Sequence, residues 1–232
     1  MRQRYAITMA ILLSVLSAGA MAQADAVQTE LNQCLVALLD DPDADLVMLH
    51  GFDLNLPGDA SPKVSIILNG TQVEEFYSPR FAITRENDRP VLRSNTGSKK
   101  TRAITGADLH SLRWYLSLDP FWVIHATRDR IHQFEFSVEK ETGYWVFVRK
   151  ARVLLSAPEE KVYGTIEETL VIDPERHLVM SYGFLASDQD RLPVQDMLNV
   201  YTYQKEIGPA WIRVRQSRHS RPDEYQQYTL NY

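Results

Sequence analysis

Glu168 lies within Gly-Thr-Ile-Glu-Glu-Thr-Leu-Val-Ile, two positions from Ile166 and two from Leu170, so in a strand its carboxyl falls on the apolar face. An isolated buried carboxylate is costly, and this one must pair or reach solvent at a cavity edge. Pairing is the structural reading; acid–base catalysis is the chemical one. Its neighbour Glu167 points to the opposite face, which is poor geometry for a working carboxylate pair. His50, His110, His125, His132, His177 and His219 lack metal-ligand spacing, and no two stand four apart on one helix face. Asp41, Asp43 and Asp45 have calcium-loop spacing, but Leu46 replaces the turn glycine and Phe52 the bidentate glutamate. The chain has no Gly-x-Ser-x-Gly elbow, no phosphate-binding glycine loop and no dinucleotide fingerprint. No catalytic residue, metal or cofactor is therefore expected. Arg213, Arg215, Arg218, His219 and Arg221 crowd the last hairpin. Arg213 and Arg215 alternate with Ile212 and Val214, as on a solvated outer face, with docking of an anionic partner or lipid headgroup as the alternative.

The elements that position these groups follow from apolar spacing. Val27, Leu31, Cys34, Leu35 and Leu38 form one helical stripe, which makes Cys34, the single cysteine, a buried inert thiol in preference to a redox or ligand group. The acidic run around Pro42 ends that helix. Val64–Leu68 and Gln72–Tyr77 flank Asn69-Gly70-Thr71 and read as a hairpin. Phe81–Arg85 and Val91–Arg93 read as short strands, and Ser94–Arg102, with Lys99 and Lys100, as an exposed loop. A second helix starts near Thr105, with Asp108 in a capping-box position, and Asp119-Pro120 breaks it. Phe121-Trp122-Val123-Ile124 follows and is expected at the mouth of a concavity as a helical or loop lid. Ile131–Val138, Tyr144–Leu155, Val162–Ile172, His177–Leu185, Met197–Ile207, Trp211–Arg218 and Tyr225–Tyr232 then form a meander of about seven antiparallel strands, with the earlier strands extending the same sheet.

One face of that meander is strongly apolar. Ile166 and Leu170 share it with Ile172, and Met180, Tyr182 and Phe184 with Leu178; Phe134 pairs in facing with Phe136, and Trp145 with Phe147. This is more aromatic and aliphatic surface than two short helices cover, so either the sheet curls or a cavity remains. The expected fold is mainly β (α+β): a strongly curved antiparallel sheet or half-barrel with two to three helices against its concave side.

Met1–Ala22 has the layout of an export signal, with Arg2 and Arg4, the apolar run Ala6–Ala20, and Ala20-Met21-Ala22 before the expected cleavage; cleavage after Ala26 is the alternative. The run is shorter than the ~20 apolar residues a bilayer span needs. No cysteine follows the site to be acylated. The expected protein is a single domain, 23–232, periplasmic or secreted, and not membrane-spanning once processed. Loss of Arg2 and Arg4 takes the formal charge from −5 to −7, which argues against nucleic acid as a partner.

The order in which Glu168–Tyr182 closes one hairpin, Asn199–Ser217 the next, and Tyr228–Tyr232 ends the chain resembles the LolA/LolB-like lipoprotein-sorting carriers of the periplasm. The resemblance covers Ile131–Tyr232, is compatible with the first helix and Phe76–Phe81, and departs at Leu185–Asp196 and Ser94–Arg102. It implies an unclosed half-barrel whose apolar concavity receives acyl chains of a lipid or lipoprotein, with no enzymatic step. Phe121, Trp122, Ile124, Phe134, Phe136, Trp145, Phe147, Ile166, Leu170, Met180, Tyr182 and Phe184 are then the expected ligand-binding residues. An envelope interaction module with a fully packed sheet and a protein partner is the first alternative, and an unrecognised hydrolase the second.

Overall fold

The computed structural model describes residues 25–37, 49–55, 64–79, 81–86, 89–95, 101–104, 106–154, 163–188, 193–204 and 211–231. The expected leader 1–22, the Asp41/Asp43/Asp45 run, Thr105, Lys99 and Lys100 lie outside the described residues.

Two meanders meet side by side. The first is β1 (Leu49–Asn55), β2 (Val64–Asn69), β3 (Gln72–Tyr77), β4 (Phe81–Glu86), β5 (Arg89–Ser94) and β6 (Thr101–Ala103). The second is β7 (Glu135–Val138), β8 (Trp145–Leu154), β9 (Tyr163–Asp173), β10 (Leu178–Ser187), β11 (Pro193–Gln204), β12 (Trp211–Arg218) and β13 (Arg221–Asn231). They join where β1 pairs with β13, through Asp53↔Asn231, Leu54↔Leu230 and Asn55↔Thr229. The result is one antiparallel sheet of 13 strands in the order β6-β5-β4-β3-β2-β1-β13-β12-β11-β10-β9-β8-β7. Tight turns set the registers. Gly70 takes φ 57° in the β2–β3 turn, the left-handed geometry glycine adopts freely. In the β9–β10 turn the Asp173 carboxylate accepts from the backbone N–H of Glu175 (3.0 Å) and Arg176 (3.2 Å), and His177 sits at φ 53°.

Three short helices cover one face: α1 (residues 25–37), α2 (Gly106–Leu116) and α3 (Pro120–Arg128). Asp119-Pro120 ends one helix and starts the next. The Asp119 side chain accepts from Phe121 N and Trp122 N at 3.0 Å each, and Pro120 occupies the first turn, where its missing donor costs nothing. The core lies between this layer and the inner sheet face. It includes Leu31, Cys34 and Leu35 of α1, Leu112 of α2, Phe121 and Ile124 of α3, and Phe52, Ile66, Phe76, Ile83, Phe147, Leu170, Tyr182, Met197, Val214 and Leu230 of the sheet. The Cys34 thiol is held protonated, first by burial and then by the neighbouring Glu30 carboxylate.

Three expectations are corrected. The sheet is neither closed nor strongly curled, so the strongly curved half-barrel gives way to an open sheet with β6 and β7 at its edges. Three short helices cover much of the apolar face in place of a sheet that rolls onto itself. Second, a bulge between Val179 and Ser181 puts Val179, opposite Ile172, into the core, whereas Met180 is only half-buried and lies outside it. Third, Phe121–Ile124, expected as a helical or loop lid at the mouth of a concavity, is helical but buried: all four residues lie within α3, which is covered nearly all round.

Candidate functional site

The inner face of β8 reads Trp145, Phe147, Arg149, and that of β9 reads Ile172, Leu170, Glu168, in direct register: Trp145↔Ile172, Phe147↔Leu170, Arg149↔Glu168. Each strand thus carries one charged interruption at the same level, and the two meet. Arg149 Nη1 donates to Glu168 Oε2 at 2.6 Å. Two more guanidiniums come from the helical layer. Arg113, in the last turn of α2, donates from Nη1 to Oε1 at 2.9 Å. Arg130, just after α3, donates to Oε2 at 2.9 Å and to Oε1 at 3.4 Å. The Tyr182 hydroxyl of β10 completes the set at 3.0 Å. Burial pushes the Glu168 carboxyl up, but Arg130, Arg113, Arg149 and Tyr182 outweigh it and hold the group below its ordinary value. The same carboxylate, together with burial as the leading cause, raises the Tyr182 phenol.

Glu168 has no solvent exposure, whereas the side chains of Arg113, Arg130 and Arg149 keep 30%, 26% and 14%. The centre is therefore a buried anion under a partly open cationic rim. Arg149 Nε also donates to Gln133 Oε1 (2.8 Å), Arg130 Nε to the Ala126 carbonyl (2.8 Å), and the Arg113 guanidinium lies 4.5 Å from the Phe184 ring centre.

Beside this rim the helices leave an aromatic surface at the β7–β8 end. Phe136 contacts Trp145 at 5.0 Å and Phe147 at 5.3 Å between ring centres. Phe134, Phe136 and Trp145 are half-buried against the core, and Val138, opposite Trp145, is 51% exposed. The expected ligand-binding residues thus separate into two groups. Phe134, Phe136 and Trp145 form a surface that solvent reaches, with Met180 half-buried outside the core. Phe121, Trp122, Ile124, Phe147, Ile166, Leu170, Tyr182 and Phe184 are packed between sheet and helices.

A second polar region sits at the far end of α3. A cleft of about 250 Å³ is lined by Asn69–Gln72 of the β2–β3 turn with His125, Arg128 and Asp129. Arg128 donates to His125 Nδ1 at 2.9 Å, which leaves the neutral ring's proton on Nε2. Burial first, then Arg128 and His50, push this imidazole down to about 4. His50 bonds Asp119 Oδ2 at 2.9 Å and packs its ring, tilted by 54°, against Phe121 at 4.0 Å between centres, tying β1 to the start of α3. Among the described residues no three His, Cys, Asp or Glu side chains converge as a metal site.

On the outer face, Arg213 and Arg215 are exposed and alternate with buried Ile212 and Val214 as expected. His219 bonds Asp196 at 2.7 Å and lies over Gly183, where a Cβ would meet its Nε2 at 2.5 Å.

Arg113 and Arg130 were not legible as partners of Glu168, since 55 and 38 positions separate them from it. Arg149 carried a readable signal: a lone cation on an apolar strand face next to a strand with a lone anion. Comparison with protein-family models, with characterised proteins and with solved structures finds no match for this chain.

Proposed function

We propose that the protein is an exported, non-enzymatic binding protein that carries a hydrophobic ligand, lipid acyl chains or a lipidated protein, through a periplasmic or extracellular aqueous compartment. The observation that carries this reading is the surface of half-buried Phe134, Phe136 and Trp145 with exposed Val138, which adjoins buried Phe147 at the edge of the core. Acyl chains lying on this surface gain about 0.8 kcal/mol for each CH₂ withdrawn from water, so binding needs no catalyst. Large aromatic rings suit a wall that must accept unlike chains. The C-terminal resemblance to lipoprotein-sorting carriers points to the same ligand class, although this sheet is not their half-barrel, and the export signal read in Met1–Ala22 to the same compartment.

Packing of Phe147, Leu170 and Ile124 to zero exposure favours a second reading, an envelope module whose sheet is filled by its own core and whose partner is a protein. Uptake separates the two. Protein purified from its native envelope is expected to carry lipid detectable by native mass spectrometry, and lipid-free protein to take up a fluorescent long-chain fatty acid. Absence of both signals overturns the carrier and leaves the interaction module. Export has its own test: terminal sequencing should find Gln23, and recovery of intact Met1 from the cytosol would overturn the localisation.

A further inference from the structure

We infer that the ligand is an anionic amphiphile whose headgroup is held by Arg113, Arg130 and Arg149, an assignment that rests on the carrier reading above and names its ligand class. Three guanidiniums share one carboxylate, so Glu168 offsets a single positive charge and two remain. Among the described residues no second carboxylate pairs with any of the three. Their exposure places the excess charge toward solvent, while Glu168 fixes the guanidiniums from below and Tyr182, Gln133 and the Ala126 carbonyl hold their orientation. A rim of pre-positioned guanidiniums matches the forked oxygens of a phosphate or carboxylate, which each can engage through two N–H groups.

Position supplies the second half of the argument. Arg149 and Phe147 are alternate residues on the inner face of β8, about 7 Å apart along the strand, and Phe147 contacts Phe136, which contacts Trp145. Phe147 itself is buried, but Gln133, which accepts from Arg149 Nε, immediately precedes half-buried Phe134, so the cationic rim adjoins the half-buried aromatic surface. A ligand spanning both carries its negative charge at one end and its chain at the other.

Chain-matched lysolipids test this on the full mature protein, with tryptophan fluorescence as readout. Lysophosphatidylglycerol is expected to bind about tenfold more tightly than lysophosphatidylcholine, an advantage that shrinks as salt rises from low to molar concentration. Arg113→Gln, at the most exposed of the three, is expected to erase most of that advantage by weakening lysophosphatidylglycerol binding more than lysophosphatidylcholine binding, whose phosphate is offset by its own choline. Lys150→Gln, on the outer face, should change neither. The salt series needs no variant and decides the matter if Arg113→Gln does not fold. Equal affinity for the two lysolipids at low salt overturns this inference and leaves the carrier standing, whereas binding of neither overturns both. Inorganic phosphate competing as strongly as the lysolipid would assign the rim to a free anion and overturn the amphiphile.

Discussion

Glu168→Gln removes the one negative charge beneath three guanidiniums while keeping the side-chain shape. The carboxylate accepts five hydrogen bonds, from Arg113, twice from Arg130, from Arg149 and from the Tyr182 hydroxyl. An amide offers one accepting oxygen and turns an NH₂ donor toward guanidiniums that only donate. Removing one member of a buried ion pair typically costs about 3 to 5 kcal/mol. Here the cations keep 14% to 30% exposure and can rehydrate, which puts the expected loss at the low end, about 3 kcal/mol. For a chain of this size that is a fall in Tm of roughly 6 to 12 °C. The pH dependence is sharper than the magnitude. A carboxyl held below its ordinary 4.5 contributes stability that is complete above that value and is lost as pH falls through the lower, folded-state value. The gap between wild type and variant should be widest at neutral pH and should close in acid, as wild-type Glu168 takes up its proton. Other titrating groups, His125 included, are common to both proteins and cancel in the difference. Urea unfolding followed by tryptophan fluorescence at pH 7, 5, 4 and 3 measures it. A gap below about 1 kcal/mol at pH 7, or one that persists undiminished at pH 3, would refute the ionised, triply paired carboxylate.

The two groups of apolar residues should respond differently to truncation. Phe147→Ala is expected to cost about 3 to 5 kcal/mol in urea unfolding, whereas half-buried Trp145→Ala should cost less stability but weaken fatty-acid uptake, and equal stability losses would remove the distinction. Asp119→Ala removes the cap on Phe121 N and Trp122 N and the partner of His50, with an expected loss of about 2 kcal/mol by the same assay. The His125 ring should stay neutral in an NMR titration down to about pH 4. Because its folded-state value lies below the ordinary 6.5, its contribution to stability is complete above 6.5 and declines as pH falls from there toward 4. Titration near 6.5 would show an imidazole open to water. Cys34 should resist alkylation at pH 8 in the folded protein and react on unfolding, and rapid native reaction would contradict its burial beside Glu30.

Strands with strict alternation were readable to within a residue or two, as Trp211–Arg218 and the Val64–Tyr77 hairpin show. β1 was missed because Leu-His-Gly-Phe-Asp-Leu-Asn mixes weak strand formers with only two buried apolar positions, Phe52 and Leu54, and owes its place to β2 and β13 on either side. Asp119-Pro120 was legible as a stop but not also as a start. The helical run of Phe121–Ile124 has no polar side to betray its period, since burial surrounds it. The bulge at Val179–Ser181 defeats the alternation that placed Met180 on the inner face, and it arises from pairing geometry that no residue type in Leu178–Ser181 announces. The need of Glu168 for a partner could be derived from burial cost alone; the identity of two of its three partners could not, because they arrive from the helical layer through long-range folding.

The β1–β13 seam bears on how the chain is made. Every other strand pairs with its neighbour in sequence, so each meander can zip locally, but Asp53 meets Asn231 across about 180 positions. The first meander therefore keeps an unpaired edge at β1 until the last strand exists, an opening that invites another chain during synthesis. Folding of the whole should be slow and governed by the arrival of residues 221–231. Loss of those few residues would expose two strand edges at once, at β1 and at β12, in the middle of the finished sheet.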